Sequence, residues 1–163
     1  MNTQESLKNL FYYKDGYLYW KNDNKAKKIK DKIAGDIGST GYISISKDRK
    51  RYLAHRLIYL FHHGYLPKYV DHIDRNKTNN KIENLRPCTL QENSFNRIGC
   101  KKNTSGFKNV TKHKTTNKWQ VHFTISKKCV YVGLFDSLEV ANLMAIEYRK
   151  KYHKEFECSE ITK

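Results

Sequence analysis

An aspartate and a histidine stand side by side near the middle of the chain, at Asp71 and His72. They follow a short predicted strand, so their side chains are expected to point in different directions. Hydrolysis of a phosphodiester needs an activated water and a positive charge beside the leaving oxygen. A histidine that titrates near neutral pH can activate the water, and a hard cation can supply the charge. The pair therefore predicts hydrolytic chemistry, in which one side chain holds a metal ion and the other faces the water.

A third candidate is Asn93, which lies in a helix predicted to begin at Thr89. Thr89-Leu-Gln-Glu92 has the pattern of a capping box, in which two side chains satisfy the first main-chain N–H groups. A short helix packed behind a hairpin could bring the Asn93 amide oxygen to the same ion. Oxygen ligands suit Mg²⁺ or Mn²⁺ better than zinc. The four cysteines stand far apart without a Cys-x-x-Cys pair, so a zinc site made of cysteines is not expected.

The elements that must position these residues are read as strand, loop, strand and helix. Tyr69–Val70 is a short strand, an asparagine-rich polar loop follows, and Leu85–Cys88 is the second strand. Upstream, residues 7–54 are predicted to form short strands, with Asp15-Gly16 as a hairpin turn. Residues 54–63 carry apolar side chains at helical spacing before a glycine stop, which predicts a helix.

The central segment resembles the HNH, or ββα-metal, endonuclease family and is most similar to its phage and intron-encoded homing type. The likeness is carried by Val70-Asp-His-Ile-Asp-Arg-Asn76, Asn79-Asn80, Glu83-Asn-Leu-Arg86 and Gln91-Glu-Asn93. The resemblance implies that His72 is the general base and Asp71 the first metal ligand. It also implies that Asn84 fixes the loop through backbone hydrogen bonds and that Asn93 is the second ligand. A lone Asp-His pair is usually structural, so the prediction depends on the whole set.

Ala54-His55-Arg56 resembles the segment that commonly precedes this motif in homing enzymes. Two roles stay open for His55 and Arg56, structural packing and contact with a DNA phosphate. Asp74 has two alternatives as well, assistance to the site or hydrogen bonding within the loop, and the loop is favoured.

Three strands and one amphipathic helix are predicted after residue 104: strands at 107–112, 118–126 and 129–135, then a helix opened by the capping pattern Asp136-Ser-Leu-Glu139. The run from Ser105-Gly-Phe-Lys to Glu139-Val-Ala141 resembles the AP2/ERF (ethylene-response-factor) DNA-binding domain. The resemblance implies a sheet that lies in the major groove with the helix packed behind it. The matching positions expected to face DNA are Lys108, Thr111, His113, His122, Thr124 and Tyr131.

Trp119 and Phe135 are instead expected in the core between that sheet and its helix. The family's arginines at the DNA-facing places are here Lys, Thr or His. Because bidentate recognition of guanine prefers arginine, the target sequence cannot be carried over from the family. The alternative is a small sheet that binds only the DNA backbone.

The charge of the chain favours a polyanionic partner. It has 32 Lys and Arg against 16 acids, a formal net charge of +16. Between Asn93 and Phe135 there are nine basic residues and no acid, so the charge is concentrated in one zone. A ribosome-like or merely basic soluble protein is the alternative. The start lacks a signal-peptide layout and no apolar run has membrane length, so a soluble intracellular protein is expected.

We predict an α+β protein in three parts: a β-rich scaffold with a helix (1–64), an HNH nuclease motif (65–98), and a basic connector with an AP2/ERF-like domain (99–163). The predicted function is homing-type cleavage of double-stranded DNA with Mg²⁺ or Mn²⁺, which by family likeness leaves 5′-phosphate and 3′-hydroxyl ends. The expected location is the cytoplasm of a bacterial host, with no membrane or protein partner. The alternatives are a non-catalytic sequence-specific DNA-binding regulator and a basic RNA-binding protein without metal dependence.

Overall fold

The computed structural model describes residues 3–23, 28–97 and 103–156. The chain divides into two compact units, Met1–Cys88 and Thr89–Lys163. Small antiparallel sheets and short helices build both units, so the predicted mixed α+β class is confirmed. The three-part division stays a prediction, and residues 98–102, in which most of the predicted connector falls, lie outside the described residues. No helix in the described ranges is long and apolar enough to span a bilayer.

In its described residues, the first unit contains two α-helices and three small antiparallel sheets. The helices are α1 (Gln4–Leu10) and α2 (Ala54–His63). The strands pair as β1 (Phe11–Lys14) with β2 (Tyr17–Trp20), β3 (Asp36–Ile37) with β4 (Ile43–Lys47) and β5 (Lys50–Leu53), and β6 (Tyr69–His72) with β7 (Leu85–Cys88). One core joins these elements, and its members include Leu7, Phe11, Leu18, Ile45, Leu57, Ile58, Leu60, Val70 and Leu85. Because Val70 and Leu85 belong to that core, the β6–β7 hairpin is anchored beside α2.

The helix predicted at residues 54–63 is confirmed as α2, with the same first and last residues. Its apolar side chains recur at helical spacing, and Leu57, Ile58 and Leu60 are buried. The helix ends at Gly64, whose φ of 76° is left-handed and whose N–H donates to the Leu60 carbonyl.

The start of the chain departs from the prediction of strands alone, because Gln4–Leu10 forms α1. The Thr3 side chain accepts a hydrogen bond from the Ser6 N–H and caps this helix. Its buried side chain is Leu7, which gives a seven-residue helix little periodic signal.

The hairpin predicted around Asp15-Gly16 is confirmed as β1–β2. Both turn residues have positive φ, 48° at Asp15 and 85° at Gly16, as a type I′ turn requires. A Cβ atom on Gly16 would lie 3.0 Å from the Lys81 nitrogen and 3.3 Å from the Asn80 carbonyl carbon. The turn therefore packs directly against the loop between β6 and β7.

The second unit consists of α3 (Leu90–Phe95), β8 (Val110–Lys112), β9 (Trp119–Ile125), β10 (Lys128–Phe135) and α4 (Leu138–His153). The strands form one antiparallel sheet in the order β10-β9-β8. Its core comprises Val110, Val121 and Phe123 from the sheet and Ala141 and Ala145 from α4. Trp119 and Phe135 pack against this core, as predicted.

Besides shifts of one residue at the ends of β9 and β10, the start of β8 and the cap of α4 differ from the prediction. β8 begins at Val110 rather than at residue 107, because Asn109 has a φ of 69° and the Ser105 hydroxyl bonds to the Val110 carbonyl at 2.7 Å. The cap of α4 is Ser137 rather than Asp136, since the Ser137 hydroxyl accepts from the Val140 N–H at 3.3 Å.

Candidate active site

Asp71 and His72 are both buried at the end of β6, with exposures of 7% and 4%. Antiparallel pairing places Asp71 opposite Arg86 of β7. The Arg86 Nε and Nη2 atoms donate to Asp71 Oδ2 at 3.1 and 3.0 Å. A buried carboxylate is costly unless it is paired, so Arg86 compensates for the burial of Asp71.

The His72 ring is enclosed by one amide and two rings of the same unit. Its Nε2 atom lies 2.8 Å from Oδ1 of Asn80, a residue only 1% exposed. The rings of His55 and Tyr42 lie 4.9 and 5.9 Å away between centroids. Alternation along β6 thus gives its last two side chains different surroundings, with an ion pair at Asp71 and an imidazole–amide contact at His72.

The loop after β6 is held by a cluster of four polar residues, Asp74, Asn76, Asn79 and Asn84, which we call the Asp74 cluster. The Asp74 carboxylate accepts from the Asn76 N–H at 2.8 Å, from Asn79 Nδ2 at 2.6 Å and from Asn84 Nδ2 at 2.8 Å. Asn84 Oδ1 accepts from the Asp74 N–H at 3.0 Å, and its Nδ2 donates to the Asn79 carbonyl at 2.8 Å. Asn84 therefore bonds to the loop backbone on both sides.

The same cluster determines the pKa of Asp74. Desolvation alone would raise the pKa of this carboxyl, but the hydrogen bonds from Asn79, Asn84 and Asn76 outweigh it and hold the pKa below its usual value. The contacts of Asp74 lie within the loop, the alternative that the sequence favoured.

His55 and Arg56 make internal contacts at the start of α2. Burial, with smaller effects of His72 and Arg56, lowers the pKa of His55 to about 3, so its ring is neutral at physiological pH. Arg56 donates to the carbonyls of Lys68 and Pro67 at 2.9 and 3.2 Å, which fixes the chain just before β6. The role of either residue in DNA contact stays a prediction.

Asn93 lies on α3 and is half-buried. The predicted capping box is present: Thr89 Oγ1 accepts from the Glu92 N–H at 3.2 Å, and Glu92 Oε2 accepts from the Thr89 N–H at 2.7 Å. The Asn93 N–H donates to the Thr89 carbonyl at 3.0 Å, so this residue completes the first turn.

Side chains of the second unit hold α3 in place. The Phe95 ring stacks on His153 with centroids 3.8 Å apart and planes 9° from parallel. Lys108 Nζ donates to the carbonyls of Phe95 and Arg97, both at 2.6 Å, and so caps the end of α3. The Lys108 carbonyl in turn accepts from the buried Arg149 at 2.7 Å.

Four of the six predicted DNA-facing residues share one face of the C-terminal sheet. Val121 and Phe123 point into the core beside α4, so His122 and Thr124 lie on the opposite face of β9. Tyr131 pairs with His122, and Thr111 pairs with Gln120, which places both on that face too. We call Thr111, His122, Thr124 and Tyr131 the outer sheet face. Lys108 lies before β8, and His113 lies just after it, where its Nδ1 bonds to Thr116 Oγ1 at 2.9 Å.

Sequence reasoning gave no role to two residues of the site. Asn80 carried part of the HNH likeness without a role of its own, although it contacts His72, because the path of residues 73–84 between β6 and β7 cannot be predicted from residue types. Arg86 belonged to the motif. Its position opposite Asp71 could have been inferred from the predicted hairpin, because pairing His72 with Leu85 places the two neighbouring residues opposite each other.

The predicted metal donors are one buried carboxylate and one amide. In residues 3–23, 28–97 and 103–156, no group of three or more His, Cys, Asp or Glu side chains could hold a metal ion. A set with few protein ligands suits Mg²⁺, which binds through one or two carboxylates and keeps several waters. The donor chemistry of Asp71 and Asn93 therefore fits a hard cation.

Comparison with known proteins places this arrangement in a family. Residues 52–95 match the family described as HNH endonuclease. Over 95 residues the chain is 36% identical to Protein 3.8 of Escherichia phage T7, which covers 57% of this chain and 78% of that protein. Residues 52–95 therefore form a domain of the HNH endonuclease family.

Other relatives carry the family's name. The chain is 48% identical over 64 residues to Uncharacterized HNH endonuclease L560 of Acanthamoeba polyphaga mimivirus, covering 37% of this chain and 34% of the relative. It is 40% identical over 57 residues to YosQ of Bacillus subtilis (strain 168), an SPbeta prophage-derived HNH homing endonuclease candidate, covering 34% and 33%. The chain thus spans about a third of the length of these two relatives. No solved structure matches the chain.

Proposed function

We propose that this chain is a site-selective endonuclease that hydrolyses phosphodiester bonds of double-stranded DNA with one divalent metal ion. The observation that carries the proposal is the buried Asp71–His72 pair at the end of β6, inside the segment that matches the HNH family. The formal charge of +16 supports a nucleic-acid substrate through phosphate contacts.

His72 is the general base in this proposal, since an imidazole can take a proton from the attacking water near neutral pH. The support is its fixed environment, with Asn80 on Nε2 and the neutral His55 ring beside it. Asn84 supports the chemistry indirectly, because its bonds to Asp74 and Asn79 hold the loop that carries the residues around His72.

Asp71 and Asn93 would hold the metal ion, Mg²⁺ or Mn²⁺. When bound, such an ion supplies positive charge that stabilises the leaving oxygen. Arg86 orients the Asp71 carboxylate, since it donates two hydrogen bonds to a single oxygen of that group.

The C-terminal sheet is proposed as the AP2/ERF-like DNA reader, with the outer sheet face toward the bases. The support is the register that brings Thr111, His122, Thr124 and Tyr131 to one face, away from α4. Hydroxyl and imidazole groups can hydrogen-bond to base edges in the major groove. A homing-type role in a bacterial host's cytoplasm follows from the prophage and phage relatives and belongs to the same proposal.

One observation favours a second candidate, a non-catalytic DNA-binding regulator. Arg86 already supplies Asp71 with a cation at 3.0 Å, so the carboxylate is compensated without a metal ion. The nuclease and the regulator differ in one measurable property, which is divalent-dependent strand cleavage.

Nicking of supercoiled plasmid that carries candidate insertion loci, with Mg²⁺, with Mn²⁺ and with chelator, tests the proposal. We expect nicked or linear product with either metal, none with chelator, and none from His72→Ala. Specific DNA binding without cleavage under any metal condition would favour the regulator, and cleavage that survives chelation would contradict the metal assignment.

A further inference from the structure

We propose that Asn80 is a positioning residue, which holds the His72 ring in one rotamer and one tautomer by accepting a hydrogen bond from Nε2–H. The inference deepens the proposed function, because it rests on His72 as the general base. It assigns a role to a residue that the sequence analysis named only as part of the HNH likeness.

The contact is short and shielded from water. His72 Nε2 and Asn80 Oδ1 are 2.8 Å apart, and the two residues are 4% and 1% exposed. An amide oxygen can only accept, so a neutral imidazole in this pair must carry its proton on Nε2. Its lone pair then belongs to Nδ1, which is the nitrogen able to take a proton from water. One hydrogen bond therefore selects the atom that acts as base.

Asn80 is itself fixed by the β1–β2 hairpin. Its N–H donates to the Thr78 carbonyl at 3.1 Å. The Gly16 turn packs against the Asn80–Lys81 peptide so closely that a Cβ atom there would approach the Lys81 nitrogen to 3.0 Å. The Tyr13 hydroxyl, on β1, accepts from the Ile82 N–H at 3.1 Å. The N-terminal hairpin thus holds Asn80 against His72, although more than sixty residues separate the hairpin turn from Asn80 in the sequence.

Two further rings lie beside the His72 ring. His55 lies 4.9 Å away between centroids, and Tyr42 lies 5.9 Å away. Burial keeps the pKa of His55 low, so this neighbour is neutral and does not repel a proton arriving at His72. Packing on these rings limits rotation of His72, while the amide selects which nitrogen carries hydrogen.

Asn80 Nδ2 is buried without a hydrogen-bond partner among the described residues. An unsatisfied buried N–H costs stability, so replacing Asn80 by the similarly sized leucine should leave the protein folded. The contact with His72 can therefore be removed without opening a cavity. Asn79→Ala is the matched control, because it removes an asparagine side chain of the same loop that bonds to Asp74 rather than to His72.

The first measurement is the ¹⁵N spectrum of the histidine rings of the full chain without DNA, with the His72 signals assigned by comparison with His72→Ala. We expect Nε2-protonated His72 in the wild type, in Asn79→Ala and in Asn80→Asp, whose carboxylate also accepts. Asn80→Leu should show a mixture of tautomers. An Asn80→Leu spectrum with the wild-type tautomer would overturn the inference, and so would a wild type protonated on Nδ1.

The second measurement is plasmid cleavage beside DNA affinity. Because a positioned base contributes about 10²–10⁴-fold to rate, Asn80→Leu should lose about 10²-fold in cleavage with little change in Kd. Asn80→Asp should be clearly faster than Asn80→Leu. Equal cleavage by wild type and Asn80→Leu would contradict the positioning role. If the wild type cuts no DNA but the tautomer still depends on Asn80, the proposed function fails and the placement of His72 by Asn80 stands.

Discussion

The loop beside His72 and the outer sheet face of the second unit both display polar side chains, but their hydrogen bonding differs. In the loop, Asp74 accepts three hydrogen bonds within its cluster, and Asn80 meets His72 away from water. On the outer sheet face, Thr124 and Tyr131 are exposed, Tyr131 by 55%, and neither forms a side-chain hydrogen bond with the described residues.

The difference matches the two tasks proposed for these regions. A reacting group must be held in one geometry before the substrate arrives, because disorder at that point costs rate. A base-reading surface instead satisfies its hydrogen bonds with the partner or with bridging water. Substitutions in the loop region should therefore change turnover, and substitutions on the outer sheet face should change affinity and site preference.

The largest effect is expected from His72→Ala. A general base contributes about 10²–10⁴-fold to the rate, so plasmid cleavage should fall by that factor while the Kd for the same DNA stays within about twofold. His63→Ala, at the exposed end of α2, is the matched control and should cut normally. Near-wild-type turnover by purified His72→Ala would show that the region around His72 does not control turnover.

Loss of a metal ligand should come next. Asp71→Asn and Asn93→Ala should each reduce cleavage on the order of 10²-fold, as expected for a group that stabilises transition-state charge, and Mn²⁺ should restore part of it. Asn is preferred to Ala at position 71, because its amide oxygen keeps a hydrogen-bond acceptor for Arg86. An unchanged response to Mg²⁺ concentration in both variants would refute the ligand assignment.

The pH dependence of the free energy of unfolding tests whether His55, beside His72, is buried as a neutral ring. The folded-state pKa of His55 is about 3, whereas the unfolded side chain titrates near 6.5. The unfolded state therefore binds more protons, and the stability that His55 contributes, complete above pH 6.5, is lost as the pH falls toward 3. The limiting slope is about 1.4 kcal/mol per pH unit.

Urea unfolding between pH 7 and pH 5 measures this slope, above the range in which most carboxyls titrate. His55→Gln should lower stability at pH 7 and flatten the curve. A wild type and a variant with parallel curves would show that His55 is not buried as a neutral ring.

The smallest effects are expected from substitutions of two lysines of the second unit, Lys108 and Lys128. Lys108 donates to the carbonyls of Phe95 and Arg97, whereas Lys128 is exposed at the start of β10. Lys108→Met should therefore lower the stability of the unit by about 1–3 kcal/mol, the usual range for hydrogen bonds to a charged group. Its slope of log affinity against log salt should not change.

Lys128→Met should leave stability unchanged. If that lysine contacts a DNA phosphate, the variant should reduce the slope of log affinity against log salt by about 0.9. DNA binding at several salt concentrations beside thermal unfolding checks both variants. A reduced salt slope in Lys108→Met would return that residue to the DNA contacts predicted from the sequence.

Much of the fold was predictable because its signals are local. The period of α2, its glycine stop, the Asp15-Gly16 turn and the Thr89 capping box each depend on neighbouring residues, and each was confirmed. The short α1 was not predicted, because one buried leucine gives no period to detect.

The partners of the candidate site were less predictable, because they depend on the path of the chain. Asn80 meets His72 only after the loop has turned back under the β1–β2 hairpin. Lys108 matches a DNA-facing position in the AP2/ERF likeness, yet its ammonium lies on main-chain carbonyls. Residue type gives the charge of such a side chain but not the atoms to which it donates hydrogen bonds.

The place of α3 has a consequence for engineering enzymes with new targets. The family match runs to residue 95, whereas the second compact unit begins at Thr89, so the two boundaries overlap on α3. A chimera joined after Phe95 would keep the family segment whole but lose the His153 ring on which Phe95 stacks. A chimera joined before Thr89 would keep both compact units but exchange Asn93 along with the proposed reader. A transplanted second unit therefore has to bring its own version of α3, or be rebuilt with the equivalents of His153 and Lys108 that support this one.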